Sequence, residues 1–433
     1  MAPLALIVDD ETGILETVAG VLADHGYETL GTTSGEAAIA LYEQRHPDVV
    51  FLDIWLPDRD GLETLQRLRE LDPHAAVVMV SGHGTTTTAV RAIRMGAFDY
   101  LEKPPSYEQV VAAARGALEA RRESLAHGGT ETISRPIQLP ALEAERPAPP
   151  RLRHLESSPL PQRTLRHSTV LYGLGLHSGG RTGLVLQPLP PGSGIHFVSL
   201  PTGESIPAWV SSVADTEYAT TLSARGAQIK TVEHLLSALH AAGVTNLLVK
   251  VHGEVPVLDG SALEFCRTLE EIGLEDQKQR RLEFVVDRRY AVGSGEKSLA
   301  LEPFDGFAVS YLLRYPPPIG EQSFDFTFAD FASYRDQIAP ARTFGFLRDL
   351  KMMNELGLGT GGRLDNFILV GEDEVVNTEL RFPDEFVRHK ILDVIGDLYL
   401  LGYPIRGRVT ARLTGHRDNI ALVRQLVAAN SLG

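Results

Sequence analysis

The stretch Phe382-Pro383-Asp384-Glu385-Phe386-Val387-Arg388-His389-Lys390-Ile391-Leu392-Asp393-Val394-Ile395-Gly396-Asp397 carries a fold signal and a chemical one together. Pro383 and the acidic pair after it suit the first turn of a helix, where the dipole favours negative charge. The apolar residues Ile391, Leu392, Ile395 and Leu398 then recur at helical spacing. On such a helix His389, Asp393 and Asp397 stand four residues apart and share one face, opposite the apolar stripe. An imidazole and a carboxylate on adjacent turns can share one metal ion. The same pair is also common on solvated faces, so the reading needs a third ligand.

Thr231-Val232-Glu233-His234-Leu235-Leu236 offers one. Glu233 and His234 open an apolar helical segment running to Leu239, with Thr231 as a possible cap. Neighbouring helical residues point about 100° apart, so a ligand and an adjacent carboxylate can flank one metal without both binding it. An ordinary amphipathic helix start has the same appearance.

Further motifs follow in order: Asp259-Gly260-Ser261-Ala262, Ala341-Arg342-Thr343-Phe344-Gly345-Phe346, Phe386-Val387-Arg388-His389-Lys390 with Asp393, and Thr414-Gly415-His416. With Thr231-Val232-Glu233-His234-Leu235, this ordered set resembles the UDP-3-O-acyl-N-acetylglucosamine deacetylases, the zinc enzymes of lipid A biosynthesis. The similarity runs from about Gln162 to the C-terminus.

Composition is compatible with that reading. The 433 residues allow two or three domains, and 43% hydrophobic content fits packed cores. A net charge of −15 argues against a broad nucleic-acid footprint, while a local basic pocket for phosphate stays open. The single cysteine, Cys266, excludes an intramolecular disulfide and reads as a small buried side chain. No apolar run approaches the roughly 20 residues of a membrane span, and the N-terminus passes straight into an expected strand rather than a signal segment. A soluble, cytoplasmic protein without a transmembrane segment is expected.

The N-terminal region alternates short apolar runs with amphipathic segments, the pattern of a doubly wound parallel sheet. Leu4-Val8, Asp48-Leu52, Val77-Val80 and Phe98-Leu101 read as strands. Each strand end carries a polar residue: Asp9 and Asp10, Asp53, Ser81, and Lys103 after the last. Ligands of such folds sit beyond the carboxyl ends of the strands. Three carboxylates converging there repel one another unless a cation joins them, and Mg²⁺ prefers such oxygen ligands.

Val8-Asp9-Asp10-Glu11, Asp53 followed by Leu56-Pro57 and Asp60-Gly61, Ser81-Gly82-His83-Gly84, and Tyr100-Leu101-Glu102-Lys103-Pro104 make residues 1–124 similar to response-regulator receivers, a five-stranded parallel α/β fold. The resemblance implies that Asp53 accepts a phosphoryl group from a sensor histidine kinase. Asp9, Asp10 and Asp53 would hold Mg²⁺, Ser81 and Lys103 the phosphate oxygens, and Tyr100 would be the switch residue. Neither a DNA-binding output domain nor a ring-forming ATPase is visible: Gly293-Ser294-Gly295-Glu296-Lys297-Ser298 lacks the Gly-Lys pair of a phosphate loop and reads as a turn between strands. Gly173-Leu174-Gly175-Leu176-His177-Ser178-Gly179 likewise misses the dinucleotide spacing.

Gly128-Gly129 and the prolines at 136, 140, 147, 149, 150, 159 and 161 mark residues 125–161 as an extended spacer. From Arg163 the chain changes to short β-like runs around a few strong helices, an α+β pattern. The deacetylase resemblance implies two two-layer sandwiches with the site between them, here 162–280 and 281–433.

Read as chemistry, His234, His389 and Asp393 are three zinc ligands, with the fourth position left for water, as in a catalytic rather than a structural site. The resemblance makes Glu233 the general base and assigns His416 to electrostatic stabilisation and acid catalysis. Asp397 would orient His416, and Thr343 would bond the oxyanion. Lys390 would meet a diphosphate, Phe344 would stack on a sugar or base, and His177 would lie near the substrate. Gly357-Leu358-Gly359-Thr360-Gly361-Gly362 falls where the family builds its acyl-chain passage. Two features depart from the family: Glu217 and Ala219 stand where an apolar residue and a cysteine are usual, and Arg417-Asp418 follows His416. The expected function is zinc-dependent release of acetate from a UDP-3-O-(3-hydroxyacyl)-N-acetylglucosamine. The competing class is a signalling scaffold that binds nucleotide-sugar without turning it over.

Overall fold

The computed structural model describes residues 2–82, 92–93, 95–126, 149–349, 359, 361–362 and 366–432. His83 and Gly84 of the receiver motif, Gly357, Leu358 and Thr360 of the expected acyl passage, and the spacer prolines before Pro149 lie outside them. The chain divides into two compact units, an N-terminal α/β unit and a larger α+β unit.

In the first unit β1 (Leu4–Val8), β2 (Glu28–Thr32), β3 (Val49–Asp53), β4 (Val77–Ser81) and β5 (Asp99–Glu102) form a sheet of order β2-β1-β3-β4-β5 with every pairing parallel. Its helices include α1 (Thr12–Asp24), α2 (Gly35–Arg45), α3 (Gly61–Leu71) and α4 (Tyr107–Ala126). Strands β3 and β4 are buried along their whole length, as expected of a parallel sheet covered on both faces. The strand order reverses between β1 and β3, which places Asp9 and Asp53 at the switch-point crevice.

The second unit is built from mixed sheets. Ile195–Ser199 pairs in parallel with Leu247–Val251 in one of them. A second runs in the order Tyr290–Ser294, Lys297–Glu302, Ile405–Arg412, Leu274–Val285 and Leu155–Leu165, with Phe307–Arg314 also pairing in parallel with Ile405–Arg412. The helices are α5 (Glu233–Ala242), α6 (Leu263–Ile272), α7 (Phe331–Gln337), α8 (Glu385–Leu398) and α9 (His416–Asn430). Cys266 is buried on α6. The turn expected at Gly293–Ser298 joins the antiparallel strands Tyr290–Ser294 and Lys297–Glu302.

Two expected boundaries fall within strands. The segment 155–161, read as spacer, belongs to the Leu155–Leu165 strand, and Pro161 stands opposite Arg280. That strand is at the sheet's edge, where a proline's missing N–H leaves no ladder bond unmade. The division at 280/281 likewise falls inside the 12-residue strand Leu274–Val285, whose backbone runs through it without a break.

Helix α8 has the acidic first turn the sequence indicates, yet it is buried on nearly every face. Its His389–Asp393–Asp397 face meets α5 rather than water. Gly396 permits this close approach: a Cβ there would lie 2.0 Å from the Glu233 carbonyl oxygen. Gly243, left-handed at φ 70°, ends α5.

Candidate active site

At the crossing of α5 and α8, His234, His389 and Asp393 each present a ligand atom, and these three atoms lie within 4.8 Å of one another. All three residues are buried. His389 Nδ1 donates to the Ala341 carbonyl at 3.1 Å, which leaves Nε2 with its lone pair, 3.5 Å from Asp393 Oδ1. His234 Nε2 lies 3.8 Å from the same oxygen, and its Nδ1 is buried without a hydrogen-bond partner among the described residues. Burial, with His389 beside it, pulls the His234 pKa down to about 3, and burial also lowers His389, so both imidazoles stand neutral and able to donate lone pairs. Burial opposes the charge on Asp393, but the Lys390 ammonium outweighs it and holds the carboxyl well below the usual range. Two neutral imidazoles and one carboxylate, preset in this way, are a donor set that fits zinc.

An acid–base pair flanks the trio. Glu233 is 3% exposed, and its Oε2 accepts the Thr220 N–H at 3.1 Å. Burial and the neighbouring Asp397 and Asp393 charges push its pKa up to about 8 against the pull of His416. His416 is the first residue of α9. Asp418 makes the helix start by accepting the Gly415 N–H at 3.0 Å. His416 Nδ1 donates to Asp397 Oδ2 at 2.8 Å, and its Nε2 lies 4.0 Å from Asp393. Burial works against an imidazolium there, but Asp397 and Asp393 prevail and raise His416 to about 9. Asp397 also accepts from Thr220 Oγ1 at 2.6 Å and Asn419 Nδ2 at 2.8 Å, so this fully buried carboxylate has three donors.

A cleft of about 430 Å³ opens onto these groups, lined by His177, Glu233, His234, Thr343, Phe344, His389, Lys390, Asp393 and His416 among others. Every residue proposed from the sequence for this site except Asp397 lines the cleft, and Asp397 stands directly behind His416. Lys390 bonds Asp393 Oδ2 at 2.6 Å. Phe344 packs edge-on against Phe386 and lies 6.2 Å from the His389 ring. Glu217 is exposed and outside the lining, whereas its neighbour Tyr218 is part of it. Tyr315, Arg348 and Asp349 also line the cleft and were not singled out in the sequence. Thr220 was not singled out in the sequence either, because its two acceptors lie 13 and 177 residues away in the chain. Thr231 does not cap α5: its hydroxyl turns to Glu254 at 3.0 Å. A larger cleft around Arg163, Arg166, Glu270 and Asp276 mixes charges of both signs and contains neither metal-ligating trio of the described residues.

The first unit gathers its own groups. Asp9, Asp10 and Asp53 form the second trio able to hold an ion, with oxygens within 4.8 Å of one another, a set that suits Mg²⁺. Lys103 Nζ lies 2.7 Å from both Asp9 and Asp53. Burial, with Asp53 nearby, raises Asp9 to about 6 against the pull of Lys103. Ser81 is fully buried at the end of β4, and Tyr100 lies on β5 with its hydroxyl buried and without a hydrogen-bond partner among the described residues.

Fold and cleft together define a two-part chain, a receiver-type α/β domain followed by an α+β hydrolase domain. The chain belongs to the UDP-3-O-acyl N-acetylglycosamine deacetylase family, whose model matches residues 162–428, and the response regulator receiver domain model matches residues 5–115. A UDP-3-O-acyl-N-acetylglucosamine deacetylase of Myxococcus xanthus (strain DK1622) is 45% identical over 272 residues, covering 62% of this chain and 86% of the relative. Among solved structures, NtrX from Brucella abortus is 44% identical over 29% of this chain and 29% of its own, with a TM-score of 0.28. A CheY-like receiver domain protein from Methanospirillum hungatei JF-1 is 27% identical over 29% of this chain and 99% of its own, also with a TM-score of 0.28. The chain thus spans about 29% of the length of NtrX. No described helix is long and apolar enough to cross a membrane.

Proposed function

We propose that the second domain is a zinc-dependent amidohydrolase that removes acetate from UDP-3-O-(3-hydroxyacyl)-N-acetylglucosamine in lipid A biosynthesis, acting in the cytoplasm. The observation that carries this is one buried cleft containing a two-imidazole, one-carboxylate donor set between a carboxyl held high, Glu233, and an imidazole held charged, His416. His234, His389 and Asp393 would hold the ion. A zinc ion there supplies Lewis acidity toward water and toward an amide carbonyl. Glu233, whose burial strengthens it as a base, takes the proton of the attacking water. Thr343 donates to the oxygen of the tetrahedral intermediate, and His416 offsets its charge. His416 then gives its proton to the departing nitrogen, so the C–N bond breaks to acetate and a free amine. Asp397 fixes the His416 ring through Nδ1 and so directs Nε2 to the reaction. Lys390, Phe344 and His177 serve substrate binding.

In the first domain Asp53 would accept a phosphoryl group from a sensor kinase with Mg²⁺ held by Asp9, Asp10 and Asp53 itself. Ser81 and Lys103 would bind the new oxygens, and Tyr100 would respond. No nucleic-acid partner is proposed. The test is acetate release by the purified chain beside Glu233→Ala and His416→Ala: turnover in the wild type and its loss in both variants is expected, and unchanged rates would defeat the assignment. Turnover with and without a small phosphodonor, with Asp53→Asn as control, tests regulation. Equal rates would leave the receiver a localisation or dimerisation element.

A further inference from the structure

Thr231 has φ 59°, a left-handed backbone that a β-branched residue rarely adopts. It stands two residues before Glu233 and three before His234, and it is 2% exposed. Something must hold it there. The backbone of Lys230 is tied to the adjacent strand end by bonds from its N–H to the Gly253 carbonyl and from the Val255 N–H to its own carbonyl, each 3.0 Å. That register sets the Glu254 carboxylate beneath Thr231, where Oε1 accepts the Thr231 hydroxyl at 3.0 Å.

The same carboxylate also holds a second segment that lines the cleft. Glu254 Oε1 accepts the His177 N–H and Oε2 the Ser178 N–H, both at 2.9 Å. The turn is shaped around it: a Cβ on Gly175 would lie 2.4 Å from Glu254 Oε2. Glu254 is itself 2% exposed and lies outside the cleft lining, so it acts through other residues.

We propose that Glu254 is a positioning residue. It locks Thr231 in the left-handed conformation that aims Glu233 and His234, and it fixes the His177 turn that lines the same cleft. The inference rests on the zinc-hydrolase reading of this site. Glycine adopts the left-handed backbone without an anchor, whereas valine keeps the branched shape and lacks the hydroxyl. The isosteric change should therefore be the more damaging one.

The experiment compares full-length Thr231→Val, Thr231→Gly, Glu254→Met and the Glu254→Met/Thr231→Gly double variant. Zinc affinity is read by competition with a chelating dye, and kcat and KM by acetate release. Thr231→Val should weaken zinc about tenfold and lower kcat at least tenfold, Thr231→Gly should stay at least fivefold above it in both, and the double variant should recover at least fivefold over Glu254→Met. Thr231→Gly as impaired as Thr231→Val, or Thr231→Val equal to wild type, would overturn the proposal, even if Glu254→Met does not fold. A wild-type chain that binds zinc but releases no acetate would defeat the deacetylase reading, and the order of zinc affinities would still decide this one.

Discussion

Gly396→Ala tests whether the contact of α5 with α8 builds the site. In an ordinary helix interior the change would stabilise by about 1 kcal/mol, because alanine is the better helix former. Here the new Cβ would lie 2.0 Å from the Glu233 carbonyl oxygen, 2.8 Å from its carbon and 3.1 Å from its Cα. A carbon and a carbonyl oxygen settle at about 3.3–3.6 Å, so the two backbones must part by more than ~1 Å. All three obstacles are main-chain atoms, so no side-chain rotation relieves them. Overpacking of this kind costs about 1–3 kcal/mol, which reverses the sign expected from helix propensity. The functional consequence is larger, because α5 carries His234 and Glu233 while α8 carries His389 and Asp393. A displacement near 1 Å of reacting groups costs about 10²-fold in rate. The assay is zinc content after dialysis against a weak chelator, followed by acetate release, with circular dichroism confirming the fold. Retained helicity, lost zinc and a rate down about 10²-fold are expected. Zinc content equal to wild type with turnover within threefold would refute the reasoning.

Other outcomes follow from the same geometry. Asp397→Asn places an amide N–H2 among three donors, His416, Thr220 and Asn419; kcat should fall about 10²-fold or more with little change in KM, as steady-state kinetics will show. Arg342→Met leaves Glu385, fully buried, without the guanidinium that donates to it at 2.8 Å, and urea unfolding should show a loss of about 3–5 kcal/mol. His240, packed by Phe307 and Tyr399, is lowered to about 3 by burial first and Arg281 second. A histidine depressed in the fold contributes stability above its unfolded pKa near 6.5 and loses it as pH falls from there toward 3, by up to about 1.4 kcal/mol per pH unit. The drop in melting temperature from pH 7 to pH 5 should therefore be smaller in His240→Leu than in the wild type.

The sequence made α8 legible because its ligands, its acidic first turn and its apolar residues all obey one 3.6-residue period. Burial of its polar face was not legible, since that depends on Gly396 meeting a helix some 160 positions earlier. The receiver's strand ends could be read from alternating apolar runs with polar termini. The strand character of the segment holding Pro159 and Pro161 was not legible, because a proline-rich run reads as spacer unless the segment is known to be a sheet edge. The helix start at His416 was not legible, because it depends on Asp418 bonding back to Gly415. Thr220 and Glu254 act through contacts across the fold, and neither has a local pattern to announce it.

The most direct test of the account is the zinc dependence of one purified chain. After stripping with a strong chelator, acetate release from the nucleotide-sugar should vanish and return in full with one equivalent of zinc per chain, and His389→Ala should neither bind that equivalent nor regain turnover. Full activity in the metal-free chain, or an unchanged zinc equivalent in His389→Ala, would contradict it.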